Sequence, residues 1–187
     1  MAEFMVLTPQ LESLYKELKR RIHRLQSGGT VDSIINVGAD PGNQIGASFQ
    51  ALKSLALRYD KNNSLAKLLW ADRKREEQIV ALFLFDEHIT HKQILALLEC
   101  CVNYEVAEYA GSQWLVNRDD VNAILQDSLE CENVMVQVAL IATSARLLML
   151  HERGLKRADS IAKQYILRSY GDDYLEFMAE RYRFKYV

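Results

Sequence analysis

An all-α protein is what this sequence predicts, built as an α-solenoid of paired helices or as a compact bundle. Three observations predict it. Apolar residues recur at spacings of three and four along most of the chain, the period of a helix face. No stretch alternates polar and apolar residues in the manner of a strand, and no Asn-Gly hairpin turn occurs. Several segments begin and end on residues suited to capping helices, with short connections between them.

The first helix follows Thr8, an N-cap, with Pro9 at the first helical position, where its missing N–H costs nothing. Leu11, Leu14, Tyr15, Leu18, Ile22 and Leu25 form its apolar stripe. Lys16, Lys19, Arg20, Arg21 and Arg24 cover the opposite face, and Gln26-Ser27-Gly28-Gly29 ends the helix. A short helix over Val31–Val37 and a loop over Gly38–Asn43 follow. Periodicity then places helices at Gln44–Tyr59, Ser64–Ala71, Arg75–Asp86, His91–Val102, Glu105–Val116, Asp120–Glu130, Asn133–Glu152, Asp159–Tyr170 and Asp173–Arg183. Thr90-His91-Lys92-Gln93 and Asp173-Tyr174-Leu175-Glu176 read as capping boxes, and Ile89 with Ile94 suits a hydrophobic staple. Gly154 and Gly171 are placed to stop helices.

A chain of 187 residues suffices for one domain with a sizeable core, here taken as residues 1–187. Hydrophobic residues make up 49% and charged residues 26%, as in soluble globular proteins. The net charge of -2 excludes a polycation that coats nucleic acid. Three cysteines, Cys100, Cys101 and Cys131, with no secretory signal, read as reduced thiols. Val134 to Leu150 is the most apolar stretch, but Gln137, Thr143, Ser144 and Arg146 mark it as a buried core helix, not a membrane segment. The expected location is cytoplasmic. Charge is uneven: Glu99 to Val136 carries -7, so the remainder carries +5, concentrated in the first helix and after Arg153.

His88 and His91 have metal-ligand spacing, yet His91 is explained as the residue after the Thr90 cap and no third ligand is evident. No metal or cofactor is expected. No P-loop, dinucleotide glycine pattern or Ser/His/Asp arrangement occurs. Tyr104 and Glu108, four apart, form an aromatic–carboxylate pair on one helix face. From Ser64 to Leu82, a helix ending Leu69-Trp70 is followed by a short polar link and a helix that opens with Glu76 and Glu77, then turns apolar.

That stretch resembles the HEAT-like DNA alkylation-repair family, the alkylpurine DNA glycosylases of the AlkC/AlkD type. The family has a helix ending Leu-Trp, a short link, a Glu-rich start and an Ala-Leu-rich helix. Upstream, Leu52-Lys53-Ser54-Leu55-Ala56 is similar to the family's Leu-Arg/Lys-x-Leu-Ala pattern, and downstream Asn103 to Glu108 falls where the family has Trp-Asp-x-x-Asp. The resemblance covers roughly Ile45 to Leu150. The loose interval of ~40 residues between Trp70, Trp114 and their helices suits degenerate repeats of this kind.

The resemblance implies a single HEAT-like α-solenoid, a superhelical array of antiparallel helix pairs. It also implies binding of duplex DNA containing alkylated bases on a concave surface, and hydrolysis of the N-glycosidic bond of alkylated purines. Tyr104 stands at the family's active-site Trp and Glu108 at its catalytic Asp. Gln137 stands where the family has an Arg, and Tyr165, Tyr170 and Tyr174 are the candidates for a second active-site aromatic. Lys19, Arg20, Arg24, Arg153, Lys156, Arg157 and Arg168 are the expected phosphate contacts. A carboxylate near the sugar stabilises an oxocarbenium-like state, and aromatic faces favour a cationic base. Because Tyr, Glu and Gln depart from the family pattern, the alternative is a non-catalytic HEAT-like scaffold whose concave surface binds a protein or nucleic-acid partner.

Overall fold

The computed structural model describes residues 7–25 and 46–185. The expected helix over Val31–Val37, the loop over Gly38–Asn43 and the helix end at Gln26-Ser27-Gly28-Gly29 lie outside the described residues. Among the described residues the chain is all-α, with ten α-helices, one π turn, one 3-10 turn and no strands. The single expected span of 1–187 divides by packing into two compact units, Met1–Ile89 and Thr90–Val187.

The first unit holds α1 (Pro9–His23), α2 (Phe49–Ala56), α3 (Asn63–Ala71) and α4 (Arg75–Leu82). The Thr8 hydroxyl accepts from the Leu11 N–H at 3.2 Å, and α1 buries Leu11, Leu18 and Ile22 from the expected stripe. Ser48 caps α2, which is shorter than the periodicity of Gln44–Tyr59 suggests. The α3–α4 pair is antiparallel. At one end the Asn62 N–H donates to the Leu84 carbonyl at 2.8 Å, and at the other Gln78 Nε2 donates to the Trp70 carbonyl at 3.3 Å. The same contacts explain why α4 stops at Leu82 and not at Asp86. Phe83 and Leu84 tighten onto carbonyls three residues back, and the Asp86 N–H is taken by the Asn63 side chain at 3.0 Å. Trp70 is buried, with its ring edge-on to Phe85 at 5.9 Å, so it serves the core of this pair.

The second unit holds α5 (His91–Leu98), α6 (Tyr104–Tyr109), a π turn over Ala110–Trp114 and a 3-10 turn over Leu115–Asn117. It continues with α7 (Val121–Asp127), α8 (Val134–Glu152), α9 (Ser160–Leu167) and α10 (Asp173–Arg183). The Thr90 capping box forms as expected, with both reciprocal bonds to Gln93. Helix α8 is the spine. It packs against α5, α6, the π turn, α9 and α10, and it buries an unbroken run from Val136 to Ala145. By length and composition alone it could cross a membrane, but burial on most of its surface is what a core helix shows. It ends in a Schellman motif: Gly154 has φ +69°, its N–H bonds the His151 carbonyl, and the Leu155 N–H bonds the Leu150 carbonyl, both at 2.9 Å.

Two details differ from the sequence reading. The N-cap of α10 is Asp172, one residue earlier than expected, and its carboxylate accepts from the N–H groups of Tyr174 and Leu175, both at 3.0 Å. Glu176 instead reaches back to the Tyr170 N–H at 2.8 Å, and Gly171 lies beyond the end of α9. The continuous helix expected over Glu105–Val116 is broken by the π turn. The wider turn lets Ala110, Gly111 and Trp114 all face the interior. Gly111 lies so close to α8 that a Cβ there would stand 2.1 Å from the Ala139 carbonyl oxygen and 2.9 Å from the Thr143 nitrogen. Backbone cannot yield as a flexible side chain can. Gly111→Ala therefore lowers unfolding stability by about 3 kcal/mol in urea denaturation, an overpacking cost at the upper end of the usual range.

Candidate functional site

Helix α6 opens on Asn103, whose side-chain oxygen accepts from the Val106 N–H at 2.9 Å. Tyr104 and Glu108 lie one turn apart on this helix, as the spacing expects. They meet through a third residue that the sequence offered only as one of three tyrosine candidates. The Tyr174 ring, from α10, stacks on Tyr104 with centroids 4.1 Å apart and planes 16° apart. The Tyr174 hydroxyl donates to Glu108 Oε1 at 2.7 Å. Burial, and then this bond to Glu108, push the Tyr174 hydroxyl above the ordinary phenol range. Glu108 Oε2 lies 4.0 Å from Arg181 Nη1, and the Glu108 side chain is 31% exposed. The other two candidates serve elsewhere. Tyr165 is fully buried and donates to the Leu125 carbonyl at 2.9 Å, while Tyr170 donates to the Tyr165 carbonyl at 2.6 Å. Burial pushes Tyr170 up to about 12.

Glu108 lines a cavity of about 280 Å³ together with Ser112, Gln113, Arg146, Met149 and Tyr182. The Ser112 hydroxyl donates to the Glu108 carbonyl at 2.8 Å, which holds the π turn against α6. Arg146 is the cation of this cavity. It comes from the otherwise apolar α8 and makes no hydrogen bond or ion pair among the described residues. A carboxylate, an arginine without a polar partner among the described residues and a tyrosine ring thus surround one small space. Tyr104 does not line it; its ring is covered on one face by Tyr174.

Gln137, which the resemblance sets at the family's Arg, is 2% exposed and lies in the first turn of α8, well before Arg146. Its amide donates to the Cys131 carbonyl and accepts from Arg168 Nη2 at 2.6 Å. Arg168 also donates to the Leu129 carbonyl at 3.0 Å and lies over the Tyr170 ring at 4.5 Å. Lys156 donates to the Arg118 carbonyl at 2.6 Å, and burial pulls its ammonium below the usual lysine range. Lys19 pairs with Asp72 at 3.0 Å within the first unit. Arg20 bonds the Lys16 carbonyl at 3.3 Å, and Arg157 pairs with Asp159 at 3.2 Å. Arg24 and Arg153 are exposed at the ends of α1 and α8. Of the expected phosphate contacts, then, Lys19, Lys156 and Arg168 are engaged with internal partners, and none lines the Glu108 cavity.

Arg146, Arg181 and Tyr182 are the site residues that sequence reasoning did not select. Arg146 had one available signal, a lone cation inside the longest apolar helix. No group of three or more His, Cys, Asp or Glu residues forms a metal-binding arrangement among the described residues. His91 Nδ1 instead faces Asp127 at 2.8 Å and Nε2 faces Asp120 at 3.2 Å. The three cysteines are free thiols.

Among the described residues, then, an all-helical chain places a hydrogen-bonded carboxylate, an arginine and an aromatic ring around one small cavity. No protein-family model, curated protein or solved structure matches the chain.

The Tyr174–Glu108 bond has a measurable consequence. Glu108→Gln removes the charge that disfavours the phenolate, so Tyr174 ionises at lower pH in an alkaline absorbance titration, with Tyr174→Phe identifying its transition. Because burial and the Glu108 bond hold the folded-state hydroxyl above the ordinary phenol range of about 10, the Tyr174 contribution to stability is present below that pH and is lost as pH rises further. Tyr174→Phe flattens that part of the stability curve.

Proposed function

We propose that this chain is a DNA alkylation-repair protein resembling the alkylpurine DNA glycosylases. It would bind duplex DNA on a HEAT-like array of antiparallel helix pairs and hydrolyse the N-glycosidic bond of alkylated purines. One observation carries the reading: Glu108 is held by the Tyr174 hydroxyl and lines a small cavity with Arg146 and Tyr182. An alkylated purine is cationic and already a good leaving group. The task left to the protein is to stabilise the positive charge that develops on the sugar and to orient water. A fixed carboxylate does both, and with one oxygen bonded to Tyr174 it needs little reorganisation as charge develops. Tyr182, in the same cavity, offers an aromatic face that favours a cationic base by cation–π attraction, while Tyr104 stacks on Tyr174 and so holds the ring whose hydroxyl bonds Glu108. Arg146, with no polar partner among the described residues, would meet a phosphate.

A second reading, a non-catalytic scaffold, is favoured by the charge pattern. Glu99 to Val136 carries -7, and Lys156 and Arg168 are engaged internally. One experiment separates the two. Purified protein is incubated with methylated duplex DNA and released methylpurine is measured for the wild type, Glu108→Gln and Arg146→Ala. On the glycosylase reading the wild type releases methylpurine, and Glu108→Gln slows release on the order of 100-fold. Equal release by wild type and Glu108→Gln removes Glu108 from its role. No release and no duplex binding at low salt leaves the scaffold.

A further inference from the structure

The two oxygens of the Glu108 carboxylate both have neighbours, and they are held differently. Oε1 accepts from the Tyr174 hydroxyl at 2.7 Å, a short bond to a ring that Tyr104 stacks against. Oε2 faces Arg181 Nη1 at 4.0 Å, too far for a hydrogen bond. The Arg181 side chain is 46% exposed. An exposed ion pair without a hydrogen bond adds little stability, because water and salt screen it. The carboxylate is therefore fixed on one side and loosely covered on the other.

The group that covers it is itself a planar cation set against aromatic rings. The Arg181 guanidinium lies 5.9 Å from the Phe177 ring centre and 5.7 Å from that of Tyr182, within the range of cation–π attraction. Tyr182 and Glu108 also line the same cavity. A carboxylate oxygen and a ring are the two groups that a planar organic cation needs, and the protein's own side chain uses both. Arg146 lines that cavity too and brings a second positive charge. With two guanidinium groups against one carboxylate, the site repels a further cation until Arg181 leaves.

We infer that Arg181 is a displaceable occupant of the Glu108 site, holding the place that the charged group of a planar organic cation takes on binding. The inference deepens the glycosylase reading and rests on it, because that reading sets a cationic purine beside Glu108. On binding, the Arg181 side chain turns out into solvent. The ligand takes over Glu108 Oε2 and the Tyr182 ring, and Tyr174 stays in place. Affinity then depends on what Arg181 gives up. Loss of Arg181 therefore tightens binding of a planar cation, the opposite of what loss of a phosphate-contacting arginine does. Tyr174 reports on the same contact: the Arg181 charge favours its phenolate, so removing that charge pushes the Tyr174 hydroxyl further up.

The test is isothermal titration calorimetry of the full chain with N-methylquinolinium, a planar aromatic cation of fixed charge, and with quinoline, its uncharged counterpart at neutral pH. The wild type binds the cation in preference to quinoline. Arg181→Gln tightens binding of N-methylquinolinium about threefold, within the range of an exposed ion pair. Arg181→Lys keeps the charge and does not tighten it. Arg58→Gln, at an exposed arginine in the first unit, changes net charge equally and leaves binding as in the wild type. In an alkaline absorbance titration, Tyr174 ionises at higher pH in Arg181→Gln than in the wild type. Unchanged or weaker cation binding by Arg181→Gln, no cation binding by either protein, equal tightening by Arg58→Gln, or an unmoved Tyr174 transition overturns the inference. Methylpurine release by the wild type without tighter cation binding by Arg181→Gln overturns the displaceable arginine alone. Tighter cation binding with no methylpurine release overturns the glycosylase reading alone.

Discussion

Gly111 meets the backbone of α8 at a distance that no other residue permits, with the Ala139 carbonyl where a methyl group would have to be. The geometry of the site follows from that contact. With the π turn pressed onto α8, Ser112 and Gln113 come to lie beside Ala142, Ala145 and Arg146, and Glu108 closes the same cavity from the last turn of α6. A side chain at position 111 would hold α6 away from α8, and the carboxylate and the arginine would no longer share a space. Close packing of this kind transmits position over several residues because protein interiors have few voids to absorb a shift.

Charge in the second unit follows a related logic. Arginine and lysine side chains from the C-terminal third bond to carbonyl groups at the ends of other helices. Lys156 reaches the Arg118 carbonyl, Arg168 the Leu129 carbonyl, and Arg183 the carbonyls of Ile166 and Arg168 at 3.2 and 2.8 Å. These carbonyls fall at helix ends and connections, where acceptors lack intrahelical partners. Basic residues that look in sequence like a phosphate-binding surface are thereby drawn into stitching helices together. Arg146 has no such partner among the described residues. An arginine in that state, beside a carboxylate held by a tyrosine, is a better indicator of ligand chemistry than net charge is.

Much of the local architecture could be read in advance. Caps at Thr8 and Thr90, the stop at Gly154 and the buried character of Val134 to Leu150 depend on groups a few residues apart. Errors arose where a distant residue competed for a backbone group. Helix α4 ends early because the Leu84 carbonyl is taken by Asn62, more than twenty residues away. The helix after Tyr104 breaks because α8 approaches Gly111. At the start of α10, Asp172 and Asp173 are adjacent acids, and either could cap; the first does so while Glu176 is held by Tyr170 and Arg183.

The helical class, the caps at Thr8 and Thr90 and the placement of Tyr104 and Glu108 on one helix face were legible in the residues alone, because periodicity and capping act over one or two turns. Long-range packing sets the rest: Tyr174 bonds Glu108 across 66 residues, Arg146 lines the same cavity while Gln137 is buried against Arg168, and Phe177 and Phe184 are left exposed. Helical periodicity states which residues share a face. Which face meets which neighbour depends on the shape of the whole packed unit, and no local spacing carries that information.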